Sequence, residues 1–162
     1  MSELLDFAEF ELADAAATNA LGEWIGARLR PGDFVALIGE LGSGKTTFTR
    51  GMARGLGLED PEAVASPTYL LMVEHQGPVP LRHVDAYFAQ RTRAFLDDGG
   101  GSWLAEEAGV TAVEWADRID DLLPADRLEL WFQASKEGRR VRLRGSSRFG
   151  WLAGFPNAAS GH

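Results

Sequence analysis

Phe34-Val35-Ala36-Leu37-Ile38-Gly39-Glu40-Leu41-Gly42-Ser43-Gly44-Lys45-Thr46-Thr47 sets the architecture of this chain. Phe34 to Ile38 are all apolar, with Pro31-Gly32-Asp33 before them and Gly39 after. So short an apolar run between turn signals reads as a strand buried on both faces, as in a parallel sheet. Gly39 to Thr46 fits G-x-x-x-x-G-K-[ST] at every fixed position. A helix is predicted from Lys45 to about Leu56, closed by Gly57. In this strand–turn–helix context, glycines let the backbone wrap so that successive N–H groups point at phosphate oxygens. The positive end of the helix dipole adds to the cradle. Lys45 brings an ammonium between the terminal phosphates, and Thr46 offers a hydroxyl to a bridging Mg²⁺. Thr47 can donate to the inner phosphate. Lysine occurs at two positions only, Lys45 and Lys136, so the motif lysine does not come from a lysine-rich background. Glu40 sets a negative charge beside the phosphates; it is expected to face outward or to help position Mg²⁺ or water.

Outward from this stretch the pattern alternates. Glu9 to Leu12 is a strand candidate. Asp14 caps a predicted helix running to about Leu29, with Leu21, Ile25 and Leu29 on one face. Ser66-Pro67-Thr68 is a turn, because proline pushes its predecessor out of the helical region. Tyr69 to His75 and Leu81 to Asp85 read as strands, and Ala86 to Leu96 as a weak helix. Asp97-Asp98-Gly99-Gly100-Gly101 reads as a mobile loop and Trp103 to Ala108 as a short helix. Thr111 to Glu114 is a buried strand, Ala116 to Leu123 a helix stopped by Pro124, and Leu128 to Phe132 and Val141 to Leu143 the last strands. The expected fold is α/β, a P-loop NTPase-like three-layer sandwich with a mostly parallel central sheet and an antiparallel portion. Residues 1–148 are expected to form a single domain and 149–162 a C-terminal tail, aromatic at first, then polar and loose at its end.

A phosphate cradle needs a further acid for the metal or the attacking water. Asp85 and Glu114 each close a predicted strand, where the carboxyl ends of the sheet should meet the glycine loop. Spacing leaves open which acid does which. Ser66 and Thr68 lie after the first cradle helix, where switch loops place a hydroxyl that senses the last phosphate. His83 alternates with Asp85 and leans to the same face of its strand.

Four blocks in order, Gly39 to Arg50, Ser66-Pro67-Thr68-Tyr69, His83-Val84-Asp85-Ala86-Tyr87 and Val113 to Arg118, resemble the TsaE (YjeE) family over roughly residues 10 to 132. The family consists of small bacterial P-loop ATPases required for N6-threonylcarbamoyl modification of the tRNA adenosine next to the anticodon. The resemblance implies ATP and Mg²⁺ as cofactors. It implies that Gly39, Glu40, Leu41, Gly42, Ser43, Gly44, Lys45, Thr46 and Thr47 hold the phosphates, and that Thr46 and Glu114 hold the metal. Asp85 would be the acid needed for hydrolysis, with Lys45 and Glu114 as the other catalytic groups. Ser66 and Thr68 would form a switch-like loop, and Thr18 would lie near the adenine. The implied partners are the TsaD and TsaB proteins, with tRNA met indirectly through the complex. Two departures stand out. Phe88 occupies the place of a family arginine, with Arg91 and Arg93 further on as substitutes, and Asp117 replaces a longer acid.

Composition narrows the alternatives. The chain has 162 residues, 16 basic and 24 acidic, for a net charge of −8, with 45% hydrophobic residues. A chain this long buries roughly 70% of its unfolded surface. The acidic balance excludes a generic basic nucleic-acid coat, and the absence of cysteine excludes disulfides and thiol chemistry. No apolar run approaches the ~20 residues of a membrane span. The start, MSELLDFAEFEL, lacks the basic and apolar regions of a secretory signal, so a soluble cytoplasmic protein is expected. A partner-dependent, slow ATPase is the first reading. A small-molecule kinase of the P-loop class is the alternative, with Arg91-Thr92-Arg93 as a lid. A GTPase lacks its N-K-x-D loop, since neither Asn19 nor Asn157 precedes a lysine. A module that binds nucleotide without cleaving it is the remaining rival. Arg140, Arg142 and Arg144 share one face of a strand, read as a solvated face in preference to a tRNA or partner contact.

Overall fold

A computed structural model describes residues 4–40, 42–98, 108–136 and 138–156. Its elements are β1 (Leu5–Leu12), α1 (Ala15–Gly26), β2 (Phe34–Ile38), α2 (Lys45–Leu56), β3 (Met72–His75), β4 (Leu81–Asp85), α3 (Ala89–Asp97), β5 (Val110–Glu114), β6 (Leu128–Ser135) and β7 (Gly138–Gly145). Short 3₁₀ segments cover Pro61–Ala63, Ala116–Leu122 and Ser147–Gly154. The seven strands form one sheet in the order β1-β7-β6-β2-β5-β4-β3. Its middle is parallel: β2 lies between β5 and β6, and β4 pairs with β5. The flanks are antiparallel, through β3 with β4 on one side and β6 with β7 and β1 on the other. The protein therefore has a mixed α/β fold built on a largely parallel centre.

Strand β2 shows why its sequence lacks polar alternation. All its residues are buried, and they divide between two cores. Val35 and Leu37 pack with Leu21 and Ile25 of α1 and Phe48 and Met52 of α2. Phe34, Ala36 and Ile38 pack on the other face with Val84, Val113, Leu96 and Ile119. Helices α1 and α2 touch through backbone. A Cβ on Gly51 would stand 2.2 Å from the Asn19 carbonyl oxygen, and one on Gly22 would stand 2.3 Å from that of Phe48. Asp14 starts α1 by accepting from the Ala17 amide at 2.8 Å, as its position before the apolar face predicts.

Several predicted boundaries move. Strand β3 begins at Met72 instead of Tyr69, because the chain turns at Pro67, where the Leu71 amide bonds the Pro67 carbonyl and Leu71 takes φ +67°. Helix α1 ends at Gly26, although Leu29 still packs in the core. The segment after β5 is 3₁₀ instead of α-helical, with a break at Ile119. Strands β1, β6 and β7 are longer than predicted, since their antiparallel pairing continues beyond the apolar residues. The predicted glycine loop at 99–101 and most of the predicted helix at 103–108 lie outside the described residues. Phe149 and Leu152, in the last 3₁₀ segment, are buried in the first core. No helix among the described residues is long and apolar enough to cross a membrane.

Candidate functional site

The glycine loop leaves the carboxyl end of β2 and enters α2 at Lys45. Gly44 precedes the helix at φ +111°, a conformation open to glycine and strained for other residues. No side chain caps this end, so its amide N–H groups remain as donors beside the positive end of the dipole. The Lys45 ammonium donates to the carbonyls of Gly39 at 2.5 Å and Glu40 at 2.9 Å, and it stands 4.3 Å from the centre of the Trp115 ring. Lys45 is buried, and burial pushes its pKa below the ordinary lysine value; the carboxylates of Glu114, Asp85, Glu40 and Asp117 oppose the shift.

Both acids arrive level with the loop. In the sheet register Asp85 faces Glu114, and Glu114 faces Leu37, next to the end of β2. Both carboxylates are buried. They are held differently. Asp85 accepts from the hydroxyls of Ser66 at 2.5 Å and Thr68 at 2.9 Å, and from the Tyr87 amide at 2.8 Å. Ser66 and Thr68 are themselves 3.1 Å apart. The turn and the acid, separate in the sequence, thus form one hydrogen-bonded unit. Glu114 Oε2 is 2.6 Å from His83 Nε2.

Around these groups lies a cavity of about 430 Å³, lined by Lys45, Thr46, Thr47, Ser66, Thr68 and Glu114 on its polar side. Tyr69, Tyr87, Phe88 and Trp115 make an aromatic wall, in which Phe88 touches Tyr69 and Tyr87 with ring centres 5.8 and 5.0 Å apart. Trp115 takes φ +57° directly after Glu114, a strained turn for a bulky residue. Its ring packs against Tyr87 and Arg118. Of the predicted binding residues, Gly42, Gly44, Lys45, Thr46 and Thr47 line the cavity. Ser43 is buried beneath it, 3.5 Å from the ammonium, while Gly39 supplies a carbonyl. Glu40 is exposed and borders a separate recess with Asp117 and Trp131. Leu41 lies outside the described residues. Thr18 is buried in an adjoining cleft of about 190 Å³ that includes Gly44, Thr47 and Arg139.

Arg139 was absent from the sequence-derived set. It comes from the start of β7, donates to the Gly42 carbonyl at 2.7 Å and lines both cavity and cleft. Its only sequence signal was membership of a basic run. Arg93, a proposed substitute for the missing arginine, is tied to Asp121 at 2.6 Å, and Arg91 stands 5.9 Å from the Phe88 ring. The alternating arginines of β7 are paired within the fold. Arg140 meets Glu11 at 2.8 Å, Arg142 meets Asp6 at 3.0 Å, and Arg144 meets Glu129 at 3.4 Å.

The donors suit a hard cation, because Thr46 and Glu114 offer oxygen ligands. Among the described residues no group of His, Cys, Asp and Glu forms a cage that could hold a metal by itself. Mg²⁺ commonly binds in this way, through one or two side chains plus phosphate oxygens and water.

A sequence model of the family described as "Threonylcarbamoyl adenosine biosynthesis protein TsaE" matches residues 12–142. The chain belongs to the TsaE family. It is 38% identical over 124 residues to the tRNA threonylcarbamoyladenosine biosynthesis protein TsaE of Bacillus subtilis, covering 76% of this chain and 75% of that one. The Streptomyces coelicolor TsaE protein is 43% identical over 116 residues, covering 68% and 74%. A crystal structure of YdiB from Bacillus subtilis superposes with a TM-score of 0.69 at 26% identity, covering 100% of this chain and 99% of the other. All four sequence blocks that carry the TsaE resemblance meet at the cavity.

Proposed function

We propose that this TsaE-family chain is a Mg²⁺-dependent ATP-binding and ATP-hydrolysing subunit of a cytoplasmic tRNA-modifying assembly, acting with TsaD and TsaB proteins on a P-loop NTPase-like layered scaffold. One observation carries the reading: a buried lysine, an uncapped helix start and the Glu114 carboxylate meet at a single cavity, with Asp85 behind the two hydroxyls that line it. That combination suits a polyanion with an accompanying cation.

In this reading the loop amides and Lys45 bind the phosphates, and Arg139 adds a further positive contact at the rim. Thr46 and Glu114 hold Mg²⁺, which when bound neutralises charge on the phosphate oxygens. Asp85 fixes Ser66 and Thr68, whose hydroxyls meet the terminal phosphate. Thr18 borders the nucleoside end. Water attacks the terminal phosphorus, the bond to the bridging oxygen breaks, and ADP, phosphate and a proton leave. The free chain turns over slowly, and the partners complete the site by ordering the loop around Tyr69 and Leu70, which are 77% and 73% exposed.

ATP turnover measured with and without TsaD and TsaB tests this. Partners are expected to raise the rate. Asp85→Ala and Glu114→Ala should each abolish hydrolysis while leaving measurable nucleotide binding. Partner-independent turnover would contradict the gating, and phosphate recovered on a metabolite instead of in water would favour the kinase alternative.

A further inference from the structure

His83 has no role in the site as drawn so far, yet it is wholly buried next to one of the site's two acids. Its side chain is fully inaccessible, its Nε2 lies 2.6 Å from Glu114 Oε2, and Glu114 is nearly as buried. The other ring nitrogen, Nδ1, has no hydrogen-bond partner among the described residues. A proton on Nδ1 would be a buried donor without an acceptor, which is unfavourable. A proton on Nε2 has the carboxylate. The geometry therefore selects the tautomer that donates from Nε2.

The register explains the reach. His83 faces Ala112 across the β4–β5 pair and Asp85 faces Glu114, so His83 meets Glu114 diagonally on one sheet face. Alternation sends His83 and Asp85 to that face together. Asp85 turns to the Ser66–Thr68 hydroxyls, and His83 serves Glu114. Glu114 Oε1 has no hydrogen bond among the described residues, and Glu114 lines the cavity.

We propose that His83 is the positioning residue for Glu114: its Nε2–H occupies one carboxylate oxygen and fixes the rotamer, leaving the other oxygen for the divalent cation that accompanies the nucleotide. Carboxylates that ligate metals are commonly oriented by a hydrogen-bond donor behind them, and losing that donor lowers metal affinity by roughly 10–100-fold. This inference rests on the Mg²⁺–nucleotide reading above.

The test separates the two. ATP binding is measured by calorimetry in EDTA and across a Mg²⁺ titration for the full chain, His83→Leu, His83→Gln and His83→Asn, each checked for fold by circular dichroism. Glutamine can place an N–H where Nε2 stands, whereas leucine cannot donate and asparagine is too short to reach Glu114. The wild type and His83→Gln should share a Mg²⁺ midpoint within about threefold. His83→Leu should need roughly tenfold more Mg²⁺ or greater, with its affinity for ATP in EDTA unchanged. If His83→Leu fails to fold, His83→Asn is expected to show the same shift. A folded Leu or Asn variant with an unshifted midpoint overturns the proposal. So does an equal loss of binding with and without metal, which marks a purely structural residue. If the wild type itself gains nothing from Mg²⁺, the reading of the site falls and this proposal falls with it.

Discussion

At Lys45 burial and charge pull in opposite directions. Burial disfavours the ammonium, whereas the surrounding carboxylates favour it, and burial is the larger effect. The folded chain therefore releases the Lys45 proton at a lower pH than the unfolded chain. Below the folded pKa the charged group opposes folding, and this penalty disappears as pH rises toward the unfolded value of about 10.5. Wild type should gain stability relative to Lys45→Met as pH climbs through that window, measured by urea denaturation of both at pH 7 and near pH 10. A constant difference, or one that moves toward the variant, would show that burial does not dominate. The placement of this residue, at a helix start just after a buried strand, was legible from a local motif. The placement of Arg139 was not, because its bond to the Gly42 carbonyl spans 97 positions of sequence and depends on the pairing of β7 with β6 and of β6 with β2. The alternation of Arg140, Arg142 and Arg144 correctly indicated one shared face. The partners of Arg140 and Arg142 on β1 became visible only with the antiparallel register.

Among the elements, the α1–α2 pair carries the loop. Its backbone contact depends on glycines that read in the sequence as helix weaknesses, since glycine is less favourable than alanine in a helix by about 0.8–1.0 kcal/mol. The meaning of Gly51 lies in its neighbour: a methyl there would meet a backbone oxygen of α1, which cannot rotate away. Overpacking costs about 1–3 kcal/mol. Set against the propensity gain, Gly51→Ala should destabilise by up to about 2 kcal/mol, read as a lower urea midpoint with an unchanged slope. Gly150→Ala, whose Cβ would meet nothing within 4 Å, is the matched control and should be near neutral. Equal midpoints for the two variants would refute the close contact. Strands β2 and β4 and helix α2 were legible to the residue, because short apolar runs and the glycine punctuation leave little choice. The start of β3 was not, because the positive φ at Leu71 comes from a turn tied to Pro67 and has no compositional mark. The 3₁₀ character of Ala116–Leu122 was likewise hidden: its apolar spacing suits a helix, and the break at Ile119 carries no compositional mark.

For the whole molecule, the sheet order brings four distant sequence blocks to one end of the parallel strands, where β2, β4 and β5 finish side by side. The α/β pattern announced that end as the place for a ligand. The different surroundings of the two acids came only from the folded chain, in which Glu114 borders the cavity and Asp85 sits behind two hydroxyls. A ligand that binds only the folded chain stabilises all of it, by about 2.7 kcal/mol at roughly 100 times its Kd. For a chain of this size that corresponds to a rise in Tm of roughly 5–10 °C. The most direct measurement is thermal unfolding of wild type and Lys45→Ala with and without Mg²⁺ and ATP. Wild type should be protected by that amount and Lys45→Ala by less than about 2 °C; no protection of the wild type, or equal protection of both, would contradict the claim that this loop is a phosphate cradle.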